Sequence, residues 1–506
     1  MNPFNDPVGA FERVASSRPH HPAVIDGDLV VSFGDLHLDV LFRCEALLTA
    51  GLEPGGRVAI VAESSADFLS TALAVWRAGG VLVTVYPSSS HDDLQYALES
   101  SEPVLVVAGE AQQEAVSAAL TTTPIASIEL FQPTSVRTDT EPNPANLREP
   151  LSLICFSSGT TSRPKAIMLT ATAVHNCAET YGEVWHLSSD DRGIVCLPMA
   201  WMYGLASTSL ALLLRGATTI VVRRARPDLL AAAMRRHQAT FIAGVTTTFA
   251  KLAMHAKDEG LGQETFGALR LCISGGEPRN EAAFERWTSV SGVSVLDAYC
   301  SSECLPLVTY DPTVDPEPRP GSAGKLVPRA QLRIVDANGD DVAAGEVGEG
   351  LSTGPGLMLG YWRDPDQTEQ ALTPDGWYRT KDLVRMDEDG YVFVVGRLSD
   401  VIIRGGINIS PGEVERALRM HPDVLDVTVV GLQDDMYGER VVAAVVAAEG
   451  LDVDALRAHA EETLTAYKRP SEYVVVNEFP VTSTGKVDRR ALAARLDDAA
   501  STAARD

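Results

Sequence analysis

Basic residues are in short supply: 42 lysines and arginines stand against 68 aspartates and glutamates in 506 residues, a formal net charge of −26. A surface of that sign repels nucleic acid and anionic lipid and argues against both as general partners, so a phosphate ligand must be held by local geometry. Cysteines are few, odd in number and scattered: Cys44, Cys155, Cys177, Cys196, Cys272, Cys300 and Cys304. Several sit in apolar runs, where a buried reduced thiol is the plain reading. No CxxC or HExxH spacing occurs among them and the ten histidines, which leaves a zinc site unsupported. The chain does not open on a basic segment followed by an apolar one, so no secretory signal is read and a cytoplasmic setting is expected. No internal repeat is present.

One long stretch lacks charge altogether, residues 193–214, and its length would suffice to span a bilayer. Pro198, Gly204, Ser207, Thr208 and Ser209 interrupt it. A buried strand, a turn and a buried helix closed by Arg215-Gly216 is the preferred reading, and no stable membrane association is expected.

The length corresponds to about three structural units at roughly 150 residues each. Strand-like runs alternate with helix-like runs through the first three hundred residues: RVAIVAE, the amphipathic SADFLSTALAVWRAGG, then VLVTVYP. That alternation predicts βαβ units and doubly wound, mostly parallel sheets. A polar stretch at 132–150 separates the early units, and DPTVDPEPRPG ends the βαβ part near Gly321. Short strands with turn signals up to Arg397 then suggest a small antiparallel β-barrel, and a compact α+β unit closes the chain.

The segment from Phe156 to Thr170, FSSGTTSRPKAIMLT, follows an apolar strand and is dense in small residues and hydroxyls. Backbone N–H and hydroxyl donors in such a loop can wrap phosphate oxygens while Lys165 supplies charge. It lacks the GK[ST] of a Walker A loop. Further along come Tyr299-Cys-Ser-Ser-Glu303, Tyr378-Arg-Thr-Lys-Asp382, and Gly396-Arg397-Leu-Ser-Asp400 running on to Pro411-Gly-Glu413-Val-Glu415. Pro480-Val-Thr-Ser-Thr-Gly-Lys486 closes the series. Alone, Asp382, Glu303 or Lys486 reads as a solvated surface charge.

Together and in this order the motifs resemble those of the AMP-forming adenylating enzymes, which comprise acyl-CoA synthetases, adenylation domains and firefly luciferase. The resemblance runs over essentially the whole chain. It implies a large N-terminal domain of two doubly wound sheets plus a small β-barrel subdomain (1–398), followed by a small mobile α+β domain (399–506). It implies ATP and Mg²⁺, a small-molecule carboxylic acid, and CoA or the phosphopantetheine of an acyl carrier protein as acceptor. Ser158, Gly159, Thr160, Thr161 and Lys165 would hold phosphates, and Gly276, Glu277 and Pro278 would lie with Tyr299 against adenine. Asp382 would accept from the ribose hydroxyls, supported by Arg397. Ser302 would lie near the α-phosphate, Glu303 would hold the metal, and Lys486 would reach the acyl carboxylate and the bridging oxygen. Ser399 and Asp400 occupy the hinge, and Gly405 and Gly406 would face the thiol.

In the same resemblance Trp201, Met202, Tyr203, Ser207, Gly275 and Cys300 line the acyl pocket. Amino-acid-activating relatives place an Asp where this chain has Met202. An unpaired buried ammonium is costly, so an apolar or aromatic acid is expected. The pairs Lys468-Arg469 and Arg489-Arg490 would meet CoA phosphates or an acidic carrier, or else be solvated charges. Several positions depart from the family pattern: Ser162, Ala166, Cys300 and Lys381 stand where glycine is usual, and Ser399 at the hinge. These departures keep two alternatives open, a stand-alone enzyme loading a carrier protein and a non-adenylating homologue that binds acyl-AMP.

Overall fold

The computed structural model describes residues 6–120, 123–127, 151–157, 164–434, 436–447, 450–481 and 487–503. The polar separator at 132–150 lies outside them. The architecture is α/β, with two large sheets ahead of Arg397 and a small five-stranded one after it.

The seven-stranded sheet is built on Arg57–Val61 and Val81–Val85, whose near-continuous apolar residues suit strands covered on both faces. Leu105–Ala108, Ile125–Ser127 and Leu153–Phe156 join them in parallel, and Ala166–Leu169 returns antiparallel to Leu153–Phe156. The helix Ala66–Ala78 starts where the Ser65 hydroxyl accepts from the Phe68 N–H and stops at Gly79, φ +99°. It was expected to be amphipathic, yet every residue but Asp67 is buried. The cause is its place between the sheets: it touches strands of both.

The thirteen-stranded sheet is parallel across Pro22–Asp26, Thr218–Val221, Arg192–Val195, Phe241–Gly244, Leu271–Gly275 and Val295–Ser301. It turns antiparallel at Cys304–Thr309. The short strands read as a small barrel, among them Gln331–Val335, Gly348–Thr353, Tyr378–Met386 and Tyr391–Arg397, continue this same sheet through Gly324–Leu326.

In the uncharged run, the strand Arg192–Val195 leads into a π-helical stretch, Tyr203–Leu210, and the short helix Ala211–Leu214. Thr208 and Ser209 donate to the carbonyls of Tyr203 and Gly204, so the hydroxyls serve the wide turn. A Cβ on Gly204 would lie 2.2 Å from the Pro198 oxygen, so only glycine fits there. No helix among the described residues is long and apolar enough to cross a membrane.

After the single turn Leu398–Asp400, the last sheet runs Ile407–Ile409, Ile402–Arg404, Gly438–Ala447, Val424–Asp434, with Glu472–Val475 parallel to Gly438–Ala447. The helices Pro411–Arg419, Val453–Thr463 and Arg489–Ala503 accompany it.

Candidate active site

Three groups of residues meet where the parallel and antiparallel parts of the large sheet join. The first centres on Asp382, 7% exposed at a bulge in the strand Tyr378–Met386. Its carboxylate accepts from the Tyr299 hydroxyl at 2.8 Å and from Arg397 Nε at 3.1 Å, and its N–H donates to Thr380 Oγ1 at 3.1 Å. Burial raises the Asp382 pKa, and Arg397 and Tyr299 offset this only in part. For Arg397 burial works against the charge, but Asp382 and Asp400 prevail and its pKa is raised. The Tyr299 phenol is raised by burial and by Asp382.

The second group centres on Glu303, in the tight turn that also carries Ser302. Glu303 Oε1 accepts from the Tyr361 hydroxyl at 3.0 Å. The ammonium of Lys165 lies 4.8 Å above the Tyr361 ring. Its pKa is lowered by burial and then by Lys381, against the opposing pull of Glu303 and Asp364. Lys381, immediately before Asp382, takes a left-handed backbone, φ +59°. Ala166, another position where glycine was expected, is an ordinary ladder residue paired with Phe156 and asks for no such freedom.

The third group is an uncharged cluster. Cys177 and Tyr181 of the helix Ala171–Val184 face Ser207 and Cys300: Cys177 Sγ lies 3.4 Å from Ser207 Oγ, and Tyr181 donates to Cys300 Sγ at 3.5 Å. Tyr181 stacks on Trp185 with ring centroids 4.2 Å apart. Tyr203 donates to the Gly244 oxygen at 3.1 Å. Gly275 must be glycine, since a Cβ would sit 2.9 Å from the Ala298 oxygen and 3.2 Å from the Tyr203 ring.

Thus Lys165, Tyr299, Glu303, Asp382 and Arg397 are brought together, as are Tyr203, Ser207, Gly275 and Cys300. Trp201 stacks on Tyr86, centroids 5.2 Å apart, and Met202 is part of the hydrophobic core. Glu277 accepts from the Thr247 N–H at 3.0 Å and Pro278 accepts from the Thr246 hydroxyl at 2.8 Å, while Gly276 turns at φ +82°. Ser158, Gly159, Thr160, Thr161, Ser162 and Lys486 lie outside the described residues. The motifs did not point to Tyr361, Tyr181 or Cys177. Tyr361 lies far along the chain from Glu303, and no local spacing links the two.

The basic pairs read as CoA contacts are mostly engaged within the protein. Arg489 binds Glu415 Oε1 at 2.5 Å and the Val429 oxygen at 2.8 Å, with Asp400 at 3.6 Å. Lys468 binds Glu413 at 2.5 Å, and Arg469 donates to the carbonyls of Leu464 and Glu461 at the end of the helix Val453–Thr463. A buried carboxylate opposite Arg489 is what the sequence pattern could not reveal.

Two family models match the chain: AMP-binding enzyme over residues 11–362 and AMP-binding enzyme C-terminal domain over 413–486. A feruloyl-CoA synthase of Amycolatopsis sp is 31% identical over 491 residues, covering 96% of this chain and 98% of that protein. An indoleacetate–CoA ligase of Aromatoleum aromaticum is 36% identical over 348 residues, covering 68% and 67%. Among solved structures, ATP-bound MatB from Rhodopseudomonas palustris superposes with a TM-score of 0.89 at 27% identity, covering 97% of this chain and 99% of that one.

Proposed function

This chain belongs to the AMP-binding enzyme family, as an AMP-forming acid–thiol ligase, and from that premise we propose that it activates an apolar or aromatic carboxylic acid. A carboxylate oxygen of the acid attacks the α-phosphorus of ATP, the bond to pyrophosphate breaks, and acyl-AMP forms. The thiol of CoA then attacks the acyl carbon and AMP leaves. The carrying observation is the buried carboxylate Asp382 together with the Glu303–Tyr361–Lys165 group and the uncharged cluster of Cys177, Tyr181, Ser207 and Cys300.

Asp382, held by Tyr299 and Arg397, accepts from the two ribose hydroxyls, and Tyr299 offers its ring to adenine beside Gly276, Glu277 and Pro278. Lys165 neutralises phosphate oxygens. Glu303 fits a divalent cation: one oxygen holds Tyr361, and no described residue hydrogen-bonds the other. No cluster of three acidic, histidine or cysteine ligands occurs among the described residues. One carboxylate plus substrate phosphates is the pattern Mg²⁺ accepts. When bound, Mg²⁺ would draw charge from the phosphate oxygens as the α-phosphorus is attacked. Lys486 is assigned to the acyl carboxylate and the bridging oxygen, and Ser302 to the α-phosphate.

For the acid, the cluster of Cys177, Tyr181, Tyr203, Ser207 and Cys300 offers nothing to pair an ammonium, which disfavours amino acids. The aromatic acids in the names of the feruloyl and indoleacetate relatives agree with that cluster. Trp201 and Met202 are assigned to the same acyl side.

We assign the thiol step to rotation of residues 399–506 about Ser399 and Asp400. Gly405 and Gly406, φ +59° and +82°, form a hairpin flanked by exposed Ile403, Ile407, Met436 and Tyr437, an apolar rim suited to a pantetheine arm. None of the seven cysteines is in a disulfide, which suits a reducing compartment.

The test is pyrophosphate release over a panel of ferulate, indoleacetate, a long-chain fatty acid and free amino acids, before and after adding CoA. Release with an aromatic acid and thioester only with CoA is expected. Release without CoA-dependent thioester would transfer the acceptor role to a carrier protein. A strong preference for a free amino acid would refute the substrate class, and no release with any acid would leave a non-adenylating homologue.

A further inference from the structure

Ser410 turns its hydroxyl away from the helix it precedes. It stands directly before Pro411–Arg419, and Ser410-Pro-Gly-Glu413 spells a capping box, in which the serine oxygen accepts from an N–H of the first turn. Ser32, Ser65, Ser90 and Thr170 accept from the third N–H of their own helices in that way. The Ser410 side chain makes no such cap. Its hydroxyl donates instead to the Val395 carbonyl at 2.7 Å, and Glu413 is held by Lys468. The acceptor is available because Val395 is the extra residue of a bulge. Leu383 pairs with Gly396 and Val384 with Val394, which leaves Val395 out of the register. Two glycines permit the approach: a Cβ on Gly396 would lie 2.6 Å from Ser410 Oγ, and one on Gly412 would lie 2.8 Å from the Val395 oxygen.

This bond crosses the turn Leu398–Asp400. Val395 belongs to a strand paired with Tyr378–Met386 and Gly324–Leu326, whereas the helix after Ser410 shares one core, through Val414 and Leu418, with Val427, Val429 and Val441 of the last sheet. Rotation of residues 399–506 about Ser399 and Asp400 must therefore break the bond, and it frees the hydroxyl to cap its own helix. We propose that Ser410 is a positioning residue for the ligase reaction, exchanging partners between two orientations of the C-terminal unit: the Val395 carbonyl in one, an N–H of its own first helical turn in the other. The proposal rests on the rotation assigned above and adds to it the group that keeps both orientations comparably stable. One hydrogen bond is lost and one is gained, so the unit is held in each orientation without being trapped in it.

The test compares two single-turnover rates in the full chain, for wild type, Gly396→Ala and Ser410→Ala. One is acyl-AMP formation from ATP and the preferred acid without CoA, and the other is thioester formation from synthetic acyl-AMP and CoA. Their ratio within one preparation does not depend on how much of a variant folds. Gly396→Ala crowds the hydroxyl only where it meets Val395, so the two rates should move in opposite directions and their ratio change at least about fivefold. Ser410→Ala removes the bond from both orientations, and its ratio should change less than about twofold. A second readout needs no turnover: trypsin should cut after Arg397 about fivefold faster in Gly396→Ala than in wild type. Rates that fall together in Gly396→Ala, or an unchanged ratio, overturn the proposal. An equal shift in Ser410→Ala also overturns it, since no partner would then be exchanged. A wild type that forms no acyl-AMP would overturn the ligase reading, and the trypsin comparison then decides for the Val395 contact if cleavage quickens and against it if cleavage is unchanged.

Discussion

Asp382 and Glu415 lie on opposite sides of the turn Leu398–Asp400, and both are buried, at 7% and 0% exposure. Asp382 meets one phenol and one guanidinium that is itself half exposed. Glu415 accepts from Arg489 at 2.5 Å and from the Val429 N–H at 2.8 Å, with Arg419 at 3.7 Å. Burial raises both carboxyls, but for Glu415 the two arginines prevail and its pKa falls, whereas for Asp382 burial prevails. One carboxylate is saturated by the protein. The other is left under-compensated, and a ligand offering hydroxyl donors would complete it. Both sit in motifs, so motif membership alone does not separate a ligand-binding carboxylate from a structural one.

The largest effect should come from the saturated site. Glu415→Gln leaves Arg489 and Arg419 without their buried counter-charge and should cost about 3 kcal/mol of stability, read by denaturant unfolding. A loss below about 1 kcal/mol would mean that water reaches the cluster and the contrast fails. The same residue sets an acid limit. Because its folded pKa lies below the ordinary 4.5, its contribution is complete above about pH 4.5 and is lost as pH falls through the folded value. Melting of wild type should therefore fall more steeply than that of Glu415→Gln below pH 4.5, and parallel curves would count against the assignment.

Asp382→Asn should behave in the opposite way. The raised pKa means that ionising this group costs stability as pH rises above 3.8, so the amide should melt no lower than wild type at neutral pH. ATP affinity should nonetheless drop about tenfold to a hundredfold, since acceptance by a charged oxygen is lost. A smaller effect is expected of Tyr299→Phe, which removes one donor from Asp382. Nucleotide affinity should fall by a few-fold, about 1 kcal/mol, in a titration that leaves the melting temperature within a degree or two.

Alternating apolar strands and helices made the two parallel sheets legible, because strands covered on both faces must be continuously hydrophobic. The polar residues proposed for the nucleotide side were legible as a motif set, because that chemistry constrains residue type and order. Other features depend on contacts distant in sequence. Tyr361 reaches Glu303 from another part of the chain, and the polar residues of the helix Ala66–Ala78 are covered by Arg43, which binds Asp67 and Thr71, and by Glu12, which pairs with Arg77. Trp201 stacks on Tyr86, and Arg489 is held by Glu415. The difference between Lys381 and Ala166 is also conformational, since only the bulge residue adopts the left-handed region. Ser158 to Thr161 and Lys486 fall outside the described residues, and their roles rest on the motifs.

The most direct measurement is acid-dependent exchange of labelled pyrophosphate into ATP, run in parallel on wild type and Asp382→Asn at matched melting temperature. The account predicts exchange that requires an aromatic or apolar acid in wild type and falls at least about tenfold in Asp382→Asn. Exchange of equal rate in both proteins, or exchange indifferent to the acid, would contradict it.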